Sequence, residues 1–359
     1  MCIRDRPDLE LRWLGGHRGL ESEIVPAADI GLDRLWLRSL RTVDASLNTI
    51  LDPLRLAASV PQAMWKLLRW RPDVVYTTGG YVAIPVLAAA ALLRIPTLLW
   101  EGNRIPGRSV RLSARLATLR TVSYAATVDR LPAPTFVTGT PIRDLGSVET
   151  SAARARLGLT ADVPVLLGFG GSQAVKRLSD AVREALPDVV ARCYVLHITG
   201  ESAIDEAEAL RASLSPEHQD RYRPYAFLRE DMDAALSAAD LLVGRAGSST
   251  LAEAAAAGLP MIVVPYPHAA AHQKANAAEM VEAGAADLVD DEDLDGDTLR
   301  AACDLLFDQR LAAMSGAALS VARPGAAAAS AHLLEILAAR EPLPSQDELD
   351  ELTRAASTK

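Results

Sequence analysis

Apolar residues along the chain occur in short runs, each followed by a glycine-containing turn and a longer alanine-rich or amphipathic segment. The clearest case is an apolar run at residues 241–243, a turn at 246–250, an alanine-rich stretch closed by Gly258, and a second run at 261–264. Runs of this length are typical of strands buried on both faces, and the stretch between them has helical length. The pattern predicts β–α–β units with parallel strands.

The same alternation recurs over most of the chain. Further strands are predicted at residues 9–14, 71–76, 97–100, 163–168 and 194–198. Helices are predicted at 45–70 and 82–92, and as two or three alanine-rich helices within 294–340. The stretch 144–160 is interpreted as a linker, and the polar tail from Glu341 is expected to be mobile. Together these elements predict two doubly wound α/β domains.

Length and composition agree with this architecture. A chain of 359 residues, half of them apolar, is long enough for two domains with packed cores. The three cysteines (Cys2, Cys193 and Cys303) are odd in number and far apart in sequence. They therefore indicate neither a disulfide framework nor a metal site, and they favour a reducing compartment.

Charge is unevenly distributed. Residues 1–146 carry 19 Lys/Arg and 13 Asp/Glu, a net of +6, whereas the remainder carries 18 and 33, a net of −15. A basic first half suits an anionic membrane surface or a pyrophosphate, although a solvated charge bias without a partner looks the same. We expect no nucleic-acid partner. The longest apolar run, 82–93, is too short to span a bilayer, and no signal peptide is visible.

The turn at 246–250 is the strongest candidate for chemistry. It follows a buried strand and opens a helix with small hydroxyl residues that can cap the helix start. Free amides and the helix dipole favour a phosphate there. Glu253 lies about one turn further on, where a carboxylate suits ribose hydroxyls. An ordinary β–α–β crossover has the same appearance.

Two other glycine turns resemble phosphate-facing loops. Residues 168–173 lack the spacing and acidic partner of a dinucleotide fingerprint, which disfavours NAD, but their small residues let the backbone approach a phosphate. Gly79 and Gly80 join a strand to a helix and present amides to an anion, although a tight turn explains them equally well. The region 45–70 is amphipathic, with Trp65 and interspersed Arg and Lys, which fits either membrane docking or packing on the sheet.

The order of these features resembles a known family. The turn, Glu253, the stretch 258–260, Pro265 and the loop 268–273 follow one another as in GT-B glycosyltransferases. They are similar in particular to the N-acetylglucosaminyltransferases that convert lipid I to lipid II in peptidoglycan synthesis. The resemblance implies two doubly wound, Rossmann-like parallel-sheet domains facing a cleft. These are an acceptor and membrane-facing domain (1–146), a UDP-sugar domain with a C-terminal crossing helix (147–340) and a polar tail (341–359).

Site residues follow from the resemblance, residue by residue. It implies UDP-GlcNAc contacts by Asn103, Arg143, Ser172, Leu228, Ser248, Ser249, Thr250, Leu251, Ala252, Glu253 and Gln273. It implies an acceptor diphosphate site at Gly79, Gly80 and Tyr81. His268 is considered for the same donor loop, whereas His17 and His197 are interpreted as a solvated and a core histidine. The resemblance implies no metal and no cofactor.

Two departures from the family concern catalysis. The family's first strand and first glycine-rich loop, which carries its usual candidate base, are not recognised, so the first domain is expected to be incomplete. The family's His-Glu-Gln-Asn is matched by Glu101 and Asn103, but Trp100 and Gly102 differ. Glu101 is a weak candidate base, and the catalytic residue is otherwise unknown.

The implied function is inverting transfer of N-acetylglucosamine from UDP-GlcNAc to lipid I by a peripheral enzyme on the cytoplasmic face of the bacterial cell membrane. Its partners would be UDP-GlcNAc, the lipid-linked muramyl-pentapeptide and an anionic membrane. Three alternatives remain open: a glycosyltransferase for another lipid or natural-product acceptor, a UDP-GlcNAc 2-epimerase, and a nucleotide-sugar-binding protein without catalysis.

Overall fold

The chain forms two compact units. The computed structural model describes residues 9–16, 21–37, 47–145, 148–170, 176–228, 230–267 and 270–354, with the main chain alone at 47–53 and 270. One unit comprises residues 1–139 with 326–353, and the other comprises residues 140–325 with 354–359. Each unit has its own parallel sheet and its own apolar clusters.

Strands and helices alternate along the described residues, as the apolar pattern predicted. The strands are β1 Arg12–Gly15, β2 Gly31–Arg34, β3 Val75–Thr77, β4 Thr97–Glu101, β5 Leu119–Val122, β6 Thr135–Val137, β7 Val165–Phe169, β8 Tyr194–Ile198, β9 Tyr222–Tyr225, β10 Leu241–Gly244, β11 Met261–Val263 and β12 Ala286–Leu288. Every predicted strand overlaps one of these.

Helices α1 to α11 lie between successive strands, and α12 to α15 follow the last strand. They are α1 Glu21–Ala27, α2 Leu47–Trp70, α3 Ala83–Leu93, α4 Arg108–Ser113, α5 Thr150–Arg156, α6 Lys176–Val190, α7 Ile204–Ser213, α8 Pro216–Gln219, α9 Met232–Ala238, α10 Ser248–Ala256, α11 Ala270–Glu282, α12 Gly296–Leu305, α13 Arg310–Val321, α14 Ala326–Ala339 and α15 Gln346–Arg354. Short 3₁₀ turns lie at Ala114–Leu116, Ala125–Arg130 and Asp291–Asp293.

In the second unit, the described strands form one six-stranded parallel sheet in the order β12-β11-β10-β7-β8-β9. Alternate residues of each strand enter opposite cores because successive side chains in a strand point to opposite faces. On β7, Leu167 belongs to the cluster under α9, α10 and α11, whereas Leu166 belongs to the cluster under α6 and α12. Leu242 and Val243 of β10 divide in the same way. The sheet is thus covered by helices on both faces.

In the first unit, the described strands form a pair, β1-β2, and a four-stranded parallel sheet, β3-β4-β5-β6. Leu14 of β1 and Val75 of β3 pack against the same cluster, which is built on α2 and α3. Leu98 and Leu99 of β4 face opposite clusters. The predicted helix at 45–70 is one continuous helix, Leu47–Trp70, that runs through Pro53 and Pro61. Burial of its face around Ala63 and Leu67 compensates for the hydrogen bonds that proline cannot donate.

The C-terminal segment corrects one prediction. Residues from Glu341 onward were expected to be a mobile polar tail, but 346–354 form α15. Leu349, which is fully buried, joins Leu98, Leu119, Leu333 and Leu337 in one cluster with α14. The side chain of Gln346 also bonds both the amide and the carbonyl of Val137 at 2.9 Å. One buried leucine and one edge-strand contact therefore hold a helix whose composition is almost entirely polar.

A buried arginine on β5 organises the loops of the first unit. Arg120 donates to the carbonyls of Ala114, Ala117 and Pro134 at 2.9, 2.6 and 3.1 Å. Burial lowers the pKa of its guanidinium, which nevertheless stays charged because arginine does not deprotonate in proteins. Arg120 thus satisfies backbone acceptors from two separate turns.

His197 is a core residue, as its apolar surroundings in the sequence indicated. It lies on β8, where Nδ1 is 2.9 Å from the Tyr222 hydroxyl and Nε2 is 3.4 Å from the Ser179 hydroxyl. Because burial disfavours the charged imidazole, the pKa of His197 is lowered from 6.5 to about 4. The native state therefore holds this histidine neutral.

We expect the free energy of unfolding to depend on this group at acidic pH. Since the folded pKa lies below the unfolded one, the stabilisation is complete above pH 6.5 and is lost as the pH falls towards 4. The loss between pH 7 and 5 is about 2 kcal/mol. Urea denaturation at both pH values should show this difference in the wild type and a smaller one in His197→Gln. Equal pH dependence in both proteins would contradict the assignment.

Candidate active site

The candidate donor-site loops of the second unit leave its six-stranded sheet at the point where the order of strand addition changes direction. From β7 the chain proceeds outward through β8 and β9, and it then returns to β10 on the other side of β7 before continuing to β11 and β12. Ligands of open α/β sheets bind outside the carboxyl ends of the strands at such a point. The glycine turns predicted to face phosphate follow β7 and β10, so both start at this edge.

Gly244 allows β7 and β10 to approach closely at this edge. A Cβ atom at Gly244 would lie 2.7 Å from the carbonyl oxygen of Phe169, too close for any other residue without a backbone shift. Gly244 pairs with Phe169 in the parallel register. The two loops are therefore brought together by the strands that precede them.

The start of α10 differs in detail from the prediction. Hydroxyl side chains were expected to cap this helix, but the N-cap residue is Gly247, with extended backbone angles and no side-chain cap bond. Ser248, Ser249 and Thr250 instead form the first helical turn. In the described residues, no side chain thus occupies the cap position, and the first-turn amides point out of the sheet edge with the positive end of the helix dipole.

Two predicted donor contacts meet on the side of α10. The Nε of Arg143 lies 3.0 Å from Oε1 of Glu253. The Glu253 side chain is largely buried, and that of Arg143 is about half exposed. A hydrogen-bonded pair of opposite charges fixes both side chains more firmly than either would be fixed alone. Residues 110 positions apart in sequence thus form one polar group beside the turn.

Gln273 supports the loop that follows β11. It lies on α11, and its Oε1 accepts a hydrogen bond from the main-chain amide of Tyr266 at 2.9 Å. Asn276, which is buried on the same helix, donates from Nδ2 to the carbonyl of Ala246 at 3.4 Å. The two amide side chains therefore connect α11 to both the 246–250 turn and the Tyr266 loop.

The remaining donor-side predictions are distributed between core and surface. Leu251 is buried in the main cluster of the second unit and Ala252 is half-buried, so Leu251 can meet a ligand only through its main chain. Leu228 is half-buried in the loop after β9, next to the exposed Phe227. Ser172 and His268, together with His17, lie outside the described residues.

In the first unit, the predicted acceptor residues form a turn between β3 and α3 whose backbone conformation requires glycine. Gly79 and Gly80 have φ values of +87° and +79°, a region that favours glycine. A Cβ atom at Gly79 would also lie 2.7 Å from a methyl carbon of Val110. Tyr81 is half-buried and packs against the α2–α3 cluster. The turn is held in a conformation that leaves the main chain at Gly80 exposed.

Glu101 is a buried residue whose carboxylate accepts hydrogen bonds from its own loop. Its side chain is buried, and Oε1 accepts from the amide of Asn103 at 2.8 Å and from Nδ2 of the same residue at 2.9 Å. Its Oε2 accepts from the amide of Gly107 at 3.0 Å. The carboxylate therefore braces the loop 101–107 from within. Trp100 donates from Nε1 to the carbonyl of Gly139 at 3.0 Å.

One residue of the donor side was not singled out from the sequence. Arg245, between β10 and the turn, is buried and donates to the carbonyl of Val264 at 3.2 Å. Its guanidinium carbon lies 5.6 Å from the centroid of the Tyr266 ring, and it forms an ion pair with Asp291. The feature of the sequence that could have identified Arg245 is a charged residue directly after a buried strand.

In the described ranges, no helix is both long and apolar enough to cross a membrane.

Comparison with protein-family models matches both units. The model described as the glycosyltransferase family 28 N-terminal domain matches residues 5–120, and the C-terminal domain model matches residues 165–331. The chain is 36% identical over 336 residues to the Moorella thermoacetica protein named UDP-N-acetylglucosamine--N-acetylmuramyl-(pentapeptide) pyrophosphoryl-undecaprenol N-acetylglucosamine transferase, covering 89% of each chain. A Lactococcus lactis protein of the same name is 35% identical over 325 residues, covering 89% of this chain and 88% of that one.

Comparison with solved structures supports the same family and fold. The Acinetobacter baumannii protein titled MurG superposes with a TM-score of 0.68 at 26% identity, covering 93% of this chain and 92% of that one. A Listeria monocytogenes protein titled putative UDP-N-acetylglucosamine 2-epimerase superposes with a TM-score of 0.63 at 16% identity over 90% and 89% of the two chains, which shows a shared fold alone. The GT-B fold class and the family resemblance predicted from the sequence are thereby confirmed, and the chain belongs to glycosyltransferase family 28.

Proposed function

We propose that this protein transfers N-acetylglucosamine from UDP-GlcNAc to the 4-hydroxyl of the muramyl sugar of lipid I, giving lipid II with inversion at the anomeric carbon. The observation that carries the proposal is the start of α10 at the reversal point of the second sheet, with the Arg143–Glu253 pair beside it. The relatives that bear this activity in their names match nearly the whole chain.

The donor diphosphate is assigned to the turn before α10. First-turn amides, the hydroxyls of Ser248, Ser249 and Thr250, and the guanidinium of Arg143 would hold the two phosphates. Ser172 on the neighbouring loop is assigned to the same diphosphate from the sequence. As the bond between the anomeric carbon and the UDP oxygen breaks, negative charge develops on the leaving group, and these donors stabilise it.

The rest of the nucleotide sugar is assigned to the flanking loops. Glu253 accepts hydrogen bonds from the ribose hydroxyls, and the main chain at Leu228 reads the uracil. Gln273, held by its bond to Tyr266, faces the hydroxyls of the sugar. Leu251 and Ala252 contribute their main chain to the α10 side of the pocket. Asn103 is assigned to the sugar and Gly79, Gly80 and Tyr81 to the diphosphate of the lipid acceptor.

The acceptor hydroxyl must lose a proton while its oxygen attacks the anomeric carbon. Glu101 is a poor proton acceptor because three N–H groups of residues 103 and 107 already bond its two oxygens. We assign it the role of a loop brace that positions Asn103.

An exposed apolar surface of the first unit is proposed to dock on the membrane that carries the acceptor. Trp65 and Leu68 on α2 are 62% and 53% exposed, and Leu54 and Trp36 are exposed as well. Arg69 on the same helix is exposed, and the guanidinium carbon of Arg55 lies 5.9 Å from the centroid of the Trp36 ring. Apolar side chains rimmed by cations suit the interface of an anionic bilayer. We place the enzyme peripherally on the cytoplasmic face, where nucleotide sugars are available.

The transferase assay tests the proposed function. The purified protein is incubated with UDP-GlcNAc and a lipid I analogue, and we expect disaccharide product and UDP in equal amounts. Replacing Glu253 by Gln removes a charged acceptor, so we expect the KM for UDP-GlcNAc to rise about tenfold to a hundredfold with an unchanged acceptor KM. Glu217→Gln, at an exposed glutamate of α8, is the control. UDP-N-acetylmannosamine formed without acceptor would instead indicate an epimerase, and UDP-GlcNAc binding without turnover would indicate a binding protein.

Glu101→Gln separates a loop brace from a general base. In the variant, an NH₂ group replaces one oxygen of the Glu101 carboxylate and cannot accept the N–H bonds that this oxygen accepts. We therefore expect the free energy of unfolding to fall by about 1–3 kcal/mol. The pH at which kcat falls on the acidic side of the profile should be the same as in the wild type. If Glu101 accepts the proton, kcat instead falls by about 10²–10⁴ with stability unchanged, and that result would refute the brace.

Vesicle binding tests the docking surface. We expect the double variant Trp65→Ser, Leu68→Ser to bind phosphatidylglycerol vesicles at least about tenfold more weakly in a sedimentation assay, because two apolar side chains no longer insert. Phe307→Ser removes an equally exposed aromatic side chain, 53% exposed, from the second unit and should bind like the wild type. Unchanged binding of the double variant would exclude this surface.

A further inference from the structure

A short acidic segment touches three parts of the proposed donor site. The residues are Asp290 and the 3₁₀ turn Asp291–Asp293, which lie between β12 and α12. Through ion pairs they reach Arg245 before the 246–250 turn, Arg177 at the start of α6, and Lys274 beside Gln273. None of these acidic residues was assigned a role from the sequence. All lie within the second unit.

Asp291 is the centre of these contacts. Its side chain is only 14% exposed, and its two oxygens face different arginines. Oδ1 is buried against the guanidinium of Arg245, and Oδ2 lies 3.2 Å from Nε of Arg177. Arg177 also donates to the carbonyl of Glu292 at 3.1 Å. One carboxylate thus joins the segments that follow β7 and β10.

The contact with Arg245 has the larger consequence because that arginine is buried. An uncompensated buried cation is unfavourable, so Asp291 keeps Arg245 inside the fold. From there Arg245 holds the carbonyl of Val264 and lies under the ring of Tyr266. The amide of Tyr266 is bound by Gln273. The position of the Tyr266 loop, and of Gln273 with it, therefore depends on the ion pair.

The other two contacts act on the remaining donor segments. Arg177 is the second residue of α6, which directly follows the stretch 171–175 that contains Ser172. Lys274 Nζ lies 2.5 Å from Oδ1 of Asp290 and is the next residue after Gln273. The acidic segment between β12 and α12 therefore contacts the start of α6, the residue before the 246–250 turn and the residue after Gln273.

We propose that Asp291 is a positioning residue of the donor site, which holds the start of α6 and the loops after β10 and β11 in the arrangement that binds the UDP moiety. The proposal rests on the donor site described above. It predicts that loss of the Asp291 carboxylate weakens UDP binding without a change at the acceptor side, because the ion pairs lie entirely in the second unit.

The test compares variants that remove one negative charge from the same turn. Asp291→Asn keeps the shape of the side chain, and Asp293→Asn removes a charge at an exposed position two residues away. For Asp291→Asn we expect a rise of about tenfold in the Kd for UDP by calorimetry and in the KM for UDP-GlcNAc, with the acceptor KM unchanged. Asp293→Asn should match the wild type, and Asp291→Glu should be intermediate.

A second variant keeps the test decisive if Asp291→Asn folds poorly. Arg177→Gln removes the outer ion pair and the hydrogen bond to the carbonyl of Glu292, while the Arg245–Asp291 pair is left intact; the Arg177 side chain is 48% exposed. We expect a rise of about two- to fivefold in the Kd for UDP at an unchanged melting temperature. UDP binding as tight as that of the wild type in this variant and in a folded Asp291→Asn protein would overturn the proposal. A lower melting temperature in Asp291→Asn combined with normal UDP binding in Arg177→Gln would also overturn it.

The outcome for the wild type separates this proposal from the proposed function. Wild-type protein that binds no UDP contradicts the donor site itself, and the positioning role falls with it. Wild-type protein that binds UDP, alongside an Asp291→Asn variant that binds equally well, contradicts the positioning role alone and leaves the donor site standing.

Discussion

The donor side of this glycosyltransferase depends on the adjacency of β7 and β10 in a parallel sheet. Because the chain builds outward from β7, returns, and then builds outward from β10, their carboxyl ends are neighbours although they are far apart in sequence. Gly244 lets the two strands approach to a distance that a side chain would prevent. Everything proposed for the nucleotide follows from this constraint, since it places two glycine turns, and the start of α10, at one edge.

Pairs of charged residues then hold the segments that the parallel sheet brings together at this edge. Arg143 and Glu253 form one pair on the side of α10, and Arg245 and Asp291 form another beneath the turn. Arg120 in the first unit is different, because its buried charge is balanced by backbone carbonyls and it organises loops without a carboxylate. In the second unit the buried cation has a carboxylate partner, and that partner also contacts Arg177 at the start of α6. Substitution of Asp291 thus affects the segment after β10 and the start of α6 at once.

The sequence was informative where a local pattern determines structure. Buried strands of four or five apolar residues, glycine turns and alanine-rich helices can each be recognised from neighbouring residues, and the family resemblance supplied the order of the donor residues. Contacts between distant segments could not be predicted in this way. Nothing local distinguishes Asp291 from Asp293, and only the fold brings it to Arg177 and Arg245.

Predictions from local sequence also failed at two places where tertiary contacts determine the structure. A serine-rich turn indicates a hydroxyl cap, but the cap position belongs to Gly247 because α10 begins at Ser248, one residue earlier than a cap at Ser248 would require. The polar composition of 341–359 is typical of a mobile tail. Burial of Leu349 and Thr353, four residues apart on one face, instead suffices to dock α15.

Hydrogen–deuterium exchange of the protein with and without saturating UDP shows whether the nucleotide binds at the reversal point of the second sheet. We expect slower exchange of main-chain amides in 244–256 and 264–276 on addition of UDP, with no change in 75–107. Protection confined to 75–107, or no protection in the second unit at saturating UDP, would contradict it.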